Sequence, residues 1–427
     1  MKHIAVIILF FFFVFGVPFS FLPVNTSKLV VLFLIVYYLL LVFNKKHKGI
    51  KIKKEMYYIL VYLILLLSLS VFSSVFHATS DFAVSYAYFI MIFEVFLGSF
   101  LFYKLFLYKY TFEGVLDLFI WIALIQSLII ILMLVLEPFR EFIMSISTKD
   151  ITDLIDRYGG FRGFGLAGSV TYDLAVFLSI SMMFITFLIS TNRNKRYFYI
   201  ISWLIIFVAV LMTGRSGWIG VFLSIVILFY FSKNKNSLKS IVSLLLIMFF
   251  FVYFIVYILS NYYLEVYDVL VLKIVPYAFE MFFNFYEKGS FSTGSSDHLS
   301  GMYFSISEKT FFFGDGYYAN PTGEGYYMST DAGYMRQILF YGIMPSILLY
   351  SFYLFGFYKI YKHYKVAWFL IMLLASYYFL VQYKGAFLTG SPMNIKLFFI
   401  LLVFSILSKN NLSMINVRNK HIKKNDL

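Results

Sequence analysis

Cysteine is absent from the 427 residues, which excludes a disulfide framework and any thiol chemistry. Charge is scarce too: 13% of the residues are Asp, Glu, Lys or Arg, where soluble domains carry roughly 25%. The chain holds no spacing of metal ligands, no phosphate-binding P-loop and no nucleophile elbow. Internal repeats, a separate soluble domain and low-complexity linkers are missing as well. What fills the chain is apolar, 62% of it, at a mean hydropathy of +0.85, far beyond what a water-soluble core needs. Runs such as Val30–Phe43, Tyr57–Val71 and Ile241–Leu259 cross a bilayer or nearly so, at about 1.5 Å per helical residue. An all-α polytopic membrane protein follows. A β-barrel is excluded, because barrels show short alternating strands rather than long unbroken apolar runs.

The net charge of +14 raises nucleic acid as a partner, but the basic residues argue against it. They sit in short clusters between apolar runs, as the positive-inside rule requires. The N-terminus, Met1-Lys2-His3 followed by an apolar run to Phe21, lacks a small-x-small cleavage site and reads as a retained first span. The runs give about twelve spans: 4–22, 28–44, 56–76, 83–103, 114–136, 168–190, 197–213, 217–232, 240–260, 336–357, 366–383 and 393–408. Basic clusters then fall on alternate connections: Lys45 to Lys54, Lys104 and Lys109, Arg193 to Arg196, Lys233 to Lys239, Lys359 to Lys365, and Arg418 to Lys424. All share one side if both termini are cytoplasmic. The expected organisation is a single transmembrane domain, 1–427, with external loops at 137–167 and 261–335.

The second loop is the most informative segment. It gathers Glu265, Asp268, Glu280, Glu287, Asp297, His298, Glu308, Asp315, Glu324 and Asp331, with Arg336 at its end, among many Gly, Ser and Tyr. Loops of that length are functional or disordered, and this one is too aromatic for a disordered linker. Phe313-Gly314-Asp315-Gly316 places a turn after an aromatic run, and Thr330-Asp331-Ala332-Gly333-Tyr334 opens a span. Asp331 either caps that helix or, with Arg336, orients a sugar hydroxyl and a phosphate. His298, the only histidine in the loop, is a natural proton acceptor near neutral pH. Tyr303, Tyr317, Tyr318, Tyr326 and Tyr327 exceed what interfacial anchoring needs, and flat faces with a polar tip fit sugar rings as well as protein cores.

Three further places stand out. The first loop ends in Asp156-Arg157-Tyr158-Gly159-Gly160-Phe161-Arg162-Gly163, two arginines among glycines that suit an anion such as a lipid phosphate, or that pair with Asp153 and Asp156. Arg215, in the tight turn Thr213-Gly214-Arg215-Ser216-Gly217, either snorkels at a helix end or meets a ligand; neither neighbouring span offers it a carboxylate. Glu94 lies mid-span, where an ionisable group is a functional candidate by default or a protonated, hydrogen-bonded packing residue.

These residues resemble a family. The turn Leu211-Met212-Thr213-Gly214-Arg215-Ser216-Gly217-Trp218 looks like the Thr-Gly-Ser-Arg-Gly type of segment in Wzy-type O-antigen polymerases and the related O-antigen ligases. Phe313-Gly314-Asp315-Gly316, Asp331-Ala332-Gly333-Tyr334, Leu339-Phe340-Tyr341-Gly342-Ile343 and the stretch from Arg162 to Tyr172 look like theirs in order and topology. The resemblance implies a GT-C-like, metal-independent, cofactor-free glycosyltransferase in the bacterial inner membrane, with its active site facing the periplasm. It would join undecaprenyl-diphosphate-linked glycan donor and acceptor, among membrane lipids and with a chain-length regulator as partner. Carried onto this chain, Arg162 and Arg215 fall at positions expected to bind diphosphate; Arg157, Arg336, Tyr334 and Asp315 are the other expected substrate-binding residues. The ligases carry a histidine where this chain has Asp331, and the family often has an arginine where His298 stands. Asp331 is therefore the first choice of base and His298 the second, with a polymerase favoured over a ligase. From other classes, a lipid-linked oligosaccharide flippase would line a central cavity with charges inside its spans, and a structural membrane protein would have no use for outward arginines.

Overall fold

The computed structural model describes residues 2–44, 52–148, 163–169, 172–191, 195–231, 250, 253–254, 257–258, 260–261, 264–268, 271–272, 275–290, 293–323 and 325–408. Its apolar helices are α1 (Lys2–Phe15), α2 (Thr26–Phe43), α3 (Lys54–Phe76), α4 (Ala83–Leu105), α5 (Phe112–Val135), α7 (Tyr172–Thr191), α8 (Arg196–Thr213) and α9 (Gly217–Phe231). The C-terminal part adds α14 (Ile343–His363), α15 (Trp368–Lys384) and α16 (Pro392–Leu407). Among the described residues, eight of these are long and apolar enough to cross a membrane, and α1, α9 and α16 are shorter apolar helices. Among the described residues the only β pairings are isolated bridges, Phe19 with Ser147 and Ala319 with Tyr326. The expected span 240–260 lies largely outside the described residues.

Two helices form the centre. Nearly all of α7 is buried, and on α16 every residue from Met393 to Leu407 is. A helix apolar on all sides belongs inside a bundle, and α7 packs against α5, α8, α9 and α16. Its hydroxyls turn back onto their own helix, as Ser181 does to the Phe177 carbonyl at 3.0 Å. At the rim, only a third of α2 and of α3 is buried. Their outward faces show Leu32, Phe33, Leu40, Tyr57, Val61 and Phe72, an apolar surface that suits lipid and not water. This is a membrane protein with a helical bundle whose core lies along α7 and α16.

Cross-chain contacts define the two ends of the bundle. At one, His3 bonds Tyr110 at 2.9 Å, Lys53 donates to the Ile406 carbonyl, and Tyr364 meets Ser408 at 3.1 Å. Lys104, Lys109, Lys195, Lys359, Lys362 and Lys365 lie on the helix ends and connections of that end. At the other, Ser20 donates to Ile146 at 2.8 Å, Gly163 to Met212 at 2.9 Å, and Gly168 to Phe15 at 2.7 Å. The long loop joins this second end, which also carries α6 (Glu137–Ser145).

Within the segment 261–335 the described residues include α10 (Glu280–Lys288), α11 (Gly294–Gly301) and α12 (Glu308–Phe313). One expectation needs correction. The expected span 336–357 is two helices, α13 (Gly333–Tyr341) and α14, separated at Gly342. Gly342 has φ +80°, and a Cβ there would strike the Phe312 carbonyl. The carbonyls ending α13 are satisfied from elsewhere: Leu339 by the Asp315 N–H at 2.7 Å, Phe340 by the Gly316 N–H at 3.0 Å and by Ser73 at 2.7 Å. The Gly-Asp-Gly turn thus plugs the end of a broken helix. Gly342→Ala should destabilise the protein by about 1–3 kcal/mol, read as a lower unfolding temperature in detergent. An unchanged temperature would refute this account of the break.

Candidate functional site

The short connection between α3 and α4 holds the long loop against the bundle. The Asp81 carboxylate accepts the Tyr318 and Ala319 N–H groups at 2.6 and 2.7 Å and the Ala83 N–H at 3.0 Å. Thr79 donates to the Gly316 carbonyl at 2.8 Å, and His77 bonds the Phe313 carbonyl at 3.1 Å. Hydrogen bonds to an ionised acceptor are the strong kind, so Asp81 fixes the backbone that carries Tyr318.

Tyr318 in turn positions Arg336. The guanidinium lies 3.6 Å from the Tyr318 ring centre and 3.9 Å from that of Tyr326, and donates to the Tyr318 carbonyl at 3.3 Å. Arg336 is buried, and its Nε–H has no hydrogen-bond partner among the described residues. A cation between two π faces is held without being neutralised, so it keeps charge available for an anion. Asp331 stands half-buried five positions upstream, just before the start of α13. Burial raises its carboxyl above the ordinary aspartate range, with Arg336, Lys384 and His298 pulling it part of the way back. It does not cap α13: the cap residue is Ala332, whose N–H goes to Thr330 Oγ1 at 3.3 Å. His298 is exposed on α11, on the open side of the same group.

Aromatic faces surround these charges. Tyr303 stacks on Tyr383 at 4.6 Å and donates to its carbonyl at 2.6 Å, and Tyr317 stacks on Tyr327 at 5.3 Å. Burial raises the Tyr303 hydroxyl, with Tyr383, Tyr334 and Asp331 adding to the effect, so it stays a neutral donor.

Two expected binding residues are committed to the fold. Asp315 accepts from Thr310 Oγ1 at 2.9 Å and from the Tyr327 hydroxyl at 3.3 Å, and Tyr334 donates to the Phe379 carbonyl at 2.9 Å. Arg215 has a carboxylate after all. It pairs with Glu280 of α10, whose other oxygen accepts the Gly294 N–H at 2.9 Å, tying the tight turn to the long loop. The partner comes from a segment 65 positions away, so inspection of the adjacent spans missed it. Arg157 and Arg162 lie outside the described residues.

Beside this cluster the bundle opens into a cavity of about 390 Å³. Glu94 and Lys396 meet on its wall, Oε1 to Nζ at 2.9 Å, with only 7% and 2% of their side chains exposed. Glu94 thus has Lys396 as its partner inside the bundle. It occupies a π-helical turn of α4, Met91–Phe96, a local widening that often marks functional positions. Thr389 also lines the cavity, and it accepts from Gln337 at 2.8 Å and bonds the Tyr318 hydroxyl. Tyr318 and Thr389 therefore stand between Arg336 and the cavity. Lys396 was legible in the sequence as the lone charge within the expected span 393–408.

Asp81→Ala should loosen this arrangement by removing the acceptor of three backbone N–H groups. The expected cost is about 1–3 kcal/mol, with faster proteolytic cleavage near Gly323–Gly325 in the folded protein. Cleavage at the wild-type rate would mean that the clamp does not hold the loop. Comparison of the chain with protein-family models, with curated proteins and with solved structures gives no match, so the chemistry of the site rests on its residues alone.

Proposed function

We propose that the chain is a polysaccharide repeat-unit polymerase of the O-antigen polymerase type, with twelve crossings and a GT-C-like arrangement. It would lie in the bacterial inner membrane with both termini cytoplasmic and the loop end facing the periplasm. The observation that carries the reading is the juxtaposition of Asp331, half-buried and raised, with Arg336, a buried cation held between tyrosines. A carboxylate of raised basicity beside a fixed positive charge suits transfer of a sugar from a diphosphate to a hydroxyl.

In this reading the hydroxyl at the non-reducing end of the incoming lipid-linked unit attacks the anomeric carbon of the nascent chain. Asp331 takes the hydroxyl proton as the new C–O bond forms. The bond from the anomeric carbon to the diphosphate breaks, and its electron pair leaves with undecaprenyl diphosphate. Arg336 stabilises the charge that develops on that leaving group, with Arg215 and the arginines at 157 and 162 drawn towards the same diphosphate. The paired tyrosines, Tyr303 with Tyr383 and Tyr317 with Tyr327, offer faces for sugar rings. His298 stands second as base. Donor and acceptor glycans on undecaprenyl diphosphate, membrane lipids and a chain-length regulator are the proposed partners. A ligase delivering the glycan to lipid A core uses the same step with another acceptor.

One observation favours a second reading. A flippase or other transporter would carry charges inside its spans around a cavity, and Glu94 and Lys396 do line one. Purified protein mixed with a lipid-linked repeat unit in detergent separates the two. A ladder of longer glycans supports the polymerase. Unchanged substrate, together with movement of the same lipid between leaflets of reconstituted vesicles, assigns a transporter.

In the elongation assay Asp331→Asn should lower the rate by about 10²–10⁴-fold. The acid limb of the pH profile should also sit above the ordinary aspartate range. Because the carboxyl is raised, the ionised base is present at high pH and lost as pH falls through that raised value. A full rate in Asp331→Asn, or an acid limb in the ordinary range, would remove Asp331 from the chemistry.

A further inference from the structure

The cavity beside Arg336 carries more than the polymerase reading uses. Its walls bear two ammonium groups, Lys28 and Lys396, and one carboxylate, Glu94; Asp173 stands one layer back, bonded to the Ser169 hydroxyl. Lys396 is fully buried on the central helix, yet Glu94 engages only one of its three donors. The backbone reaches it at Gly16, where φ is +54° and an added Cβ would stand 3.6 Å from Nζ, so the wall there is shaped by a missing side chain. Lys28 reaches across to the Tyr86 hydroxyl at 3.3 Å, the one hydrogen bond of its side chain among the described residues.

Two helix N-termini converge on the same space. α2 begins at Thr26 with Asn25 as its cap, and α16 begins at Pro392; Asn25 and Pro392 both line the cavity. The positive end of each helix dipole adds to the two ammonium groups. The remaining wall is apolar, from Ile90, Val95 and Ile395, and α2 packs against α4 chiefly over Leu97–Leu105. A charged recess with an apolar floor, opening between two lipid-facing helices, fits an anionic head on an apolar stem. At about 390 Å³ it lies within the range of small-ligand pockets, roughly 300–1,000 Å³.

We propose that this cavity binds a phosphate group between Lys28 and Lys396, with Glu94 as the internal counter-ion that holds Lys396 in place when the site is empty. Lysine serves as a point charge for phosphate, and two of them with two helix ends supply the attraction that one ion pair does not use up. The phosphate comes from a lipid headgroup or from free phosphate. The site goes beyond the polymerase reading, because neither Asp331 nor Arg336 takes part in it.

The test uses the full-length protein. Its unfolding temperature is followed with inorganic phosphate in detergent, and in nanodiscs of phosphatidylcholine with or without phosphatidic acid, a phosphate monoester on a lipid stem. Phosphatidic acid should stabilise the wild type beyond phosphatidylcholine alone. Stabilisation by phosphatidic acid without any by inorganic phosphate assigns the site to a lipid headgroup; stabilisation by both assigns it to phosphate in general. Lys28→Gln, which removes the ammonium and its hydrogen bond to Tyr86, should weaken binding by about tenfold or more. Glu94→Gln should strengthen it several-fold by releasing Lys396; if that variant does not fold, Lys28→Gln decides alone. Wild-type affinity in Lys28→Gln, or no stabilisation by either phosphate probe beyond a chloride control, overturns the proposal. Phosphate binding by a chain that elongates no glycan leaves the pocket standing and sinks the polymerase, and elongation without this binding does the reverse.

Discussion

The ion pair between Glu94 and Lys396 is the constraint on which the arrangement of the bundle turns. An unpaired charge cannot be left on a helix as buried as α16, and removing one member of such a pair typically costs about 3–5 kcal/mol. The pair therefore fixes the rotation of α16 against α4. It also places the π-helical turn of α4, since Glu94 lies within Met91–Phe96. Replacing both groups with apolar side chains would often be neutral or favourable for stability alone. A bundle with so much apolar packing has no need of this pair to fold, which directs attention to the polar cavity the pair helps to line.

A second fixed point is the carboxylate of Asp81. Three backbone N–H groups converge on it, two of them from the stretch that carries Tyr318. Tyr318 then supports Arg336 on one side and touches Thr389, on the cavity wall, on the other. A displacement of the 313–319 segment would reach the guanidinium and the cavity together. The two polar regions at this end of the bundle are thus mechanically continuous, through packed rings and hydrogen bonds rather than through a flexible loop.

Much of the architecture was legible in the chain because it depends on local pattern. Apolar runs located most of the described helices. Breaks that depend on distant packing were not legible. Gly342 looks like any glycine in an apolar run until the Phe312 carbonyl is placed against it. The partners of charged residues were the hardest to read. Arg215 meets Glu280 across 65 positions, and Glu94 meets Lys396 across 302. Asp331 and Arg336 are legible together because they lie five positions apart, where proximity in sequence and in space coincide. Asp315 attracted notice for its Gly-Asp-Gly setting, a pattern that marks a tight turn as readily as a ligand, and its hydrogen bonds close that turn.

The distribution of partners distinguishes structural from available polar groups. Asp81 and Asp315 are spent on backbone N–H groups and hydroxyls of the loop they organise. Arg336 is fixed by π faces and one carbonyl, and Asp331 is desolvated without being used as a cap. A group held in place by contacts that leave its charge unneutralised is preorganised, and such groups act on developing charge without reorganising at the moment of reaction. On the far side of Tyr318 stand Lys28, bonded to the Tyr86 hydroxyl, and Lys396, paired with Glu94. One end of the bundle therefore presents two cationic regions separated by a tyrosine and a threonine. That spacing suits an anionic lipid substrate whose head must be held at one place while its bond is broken at another.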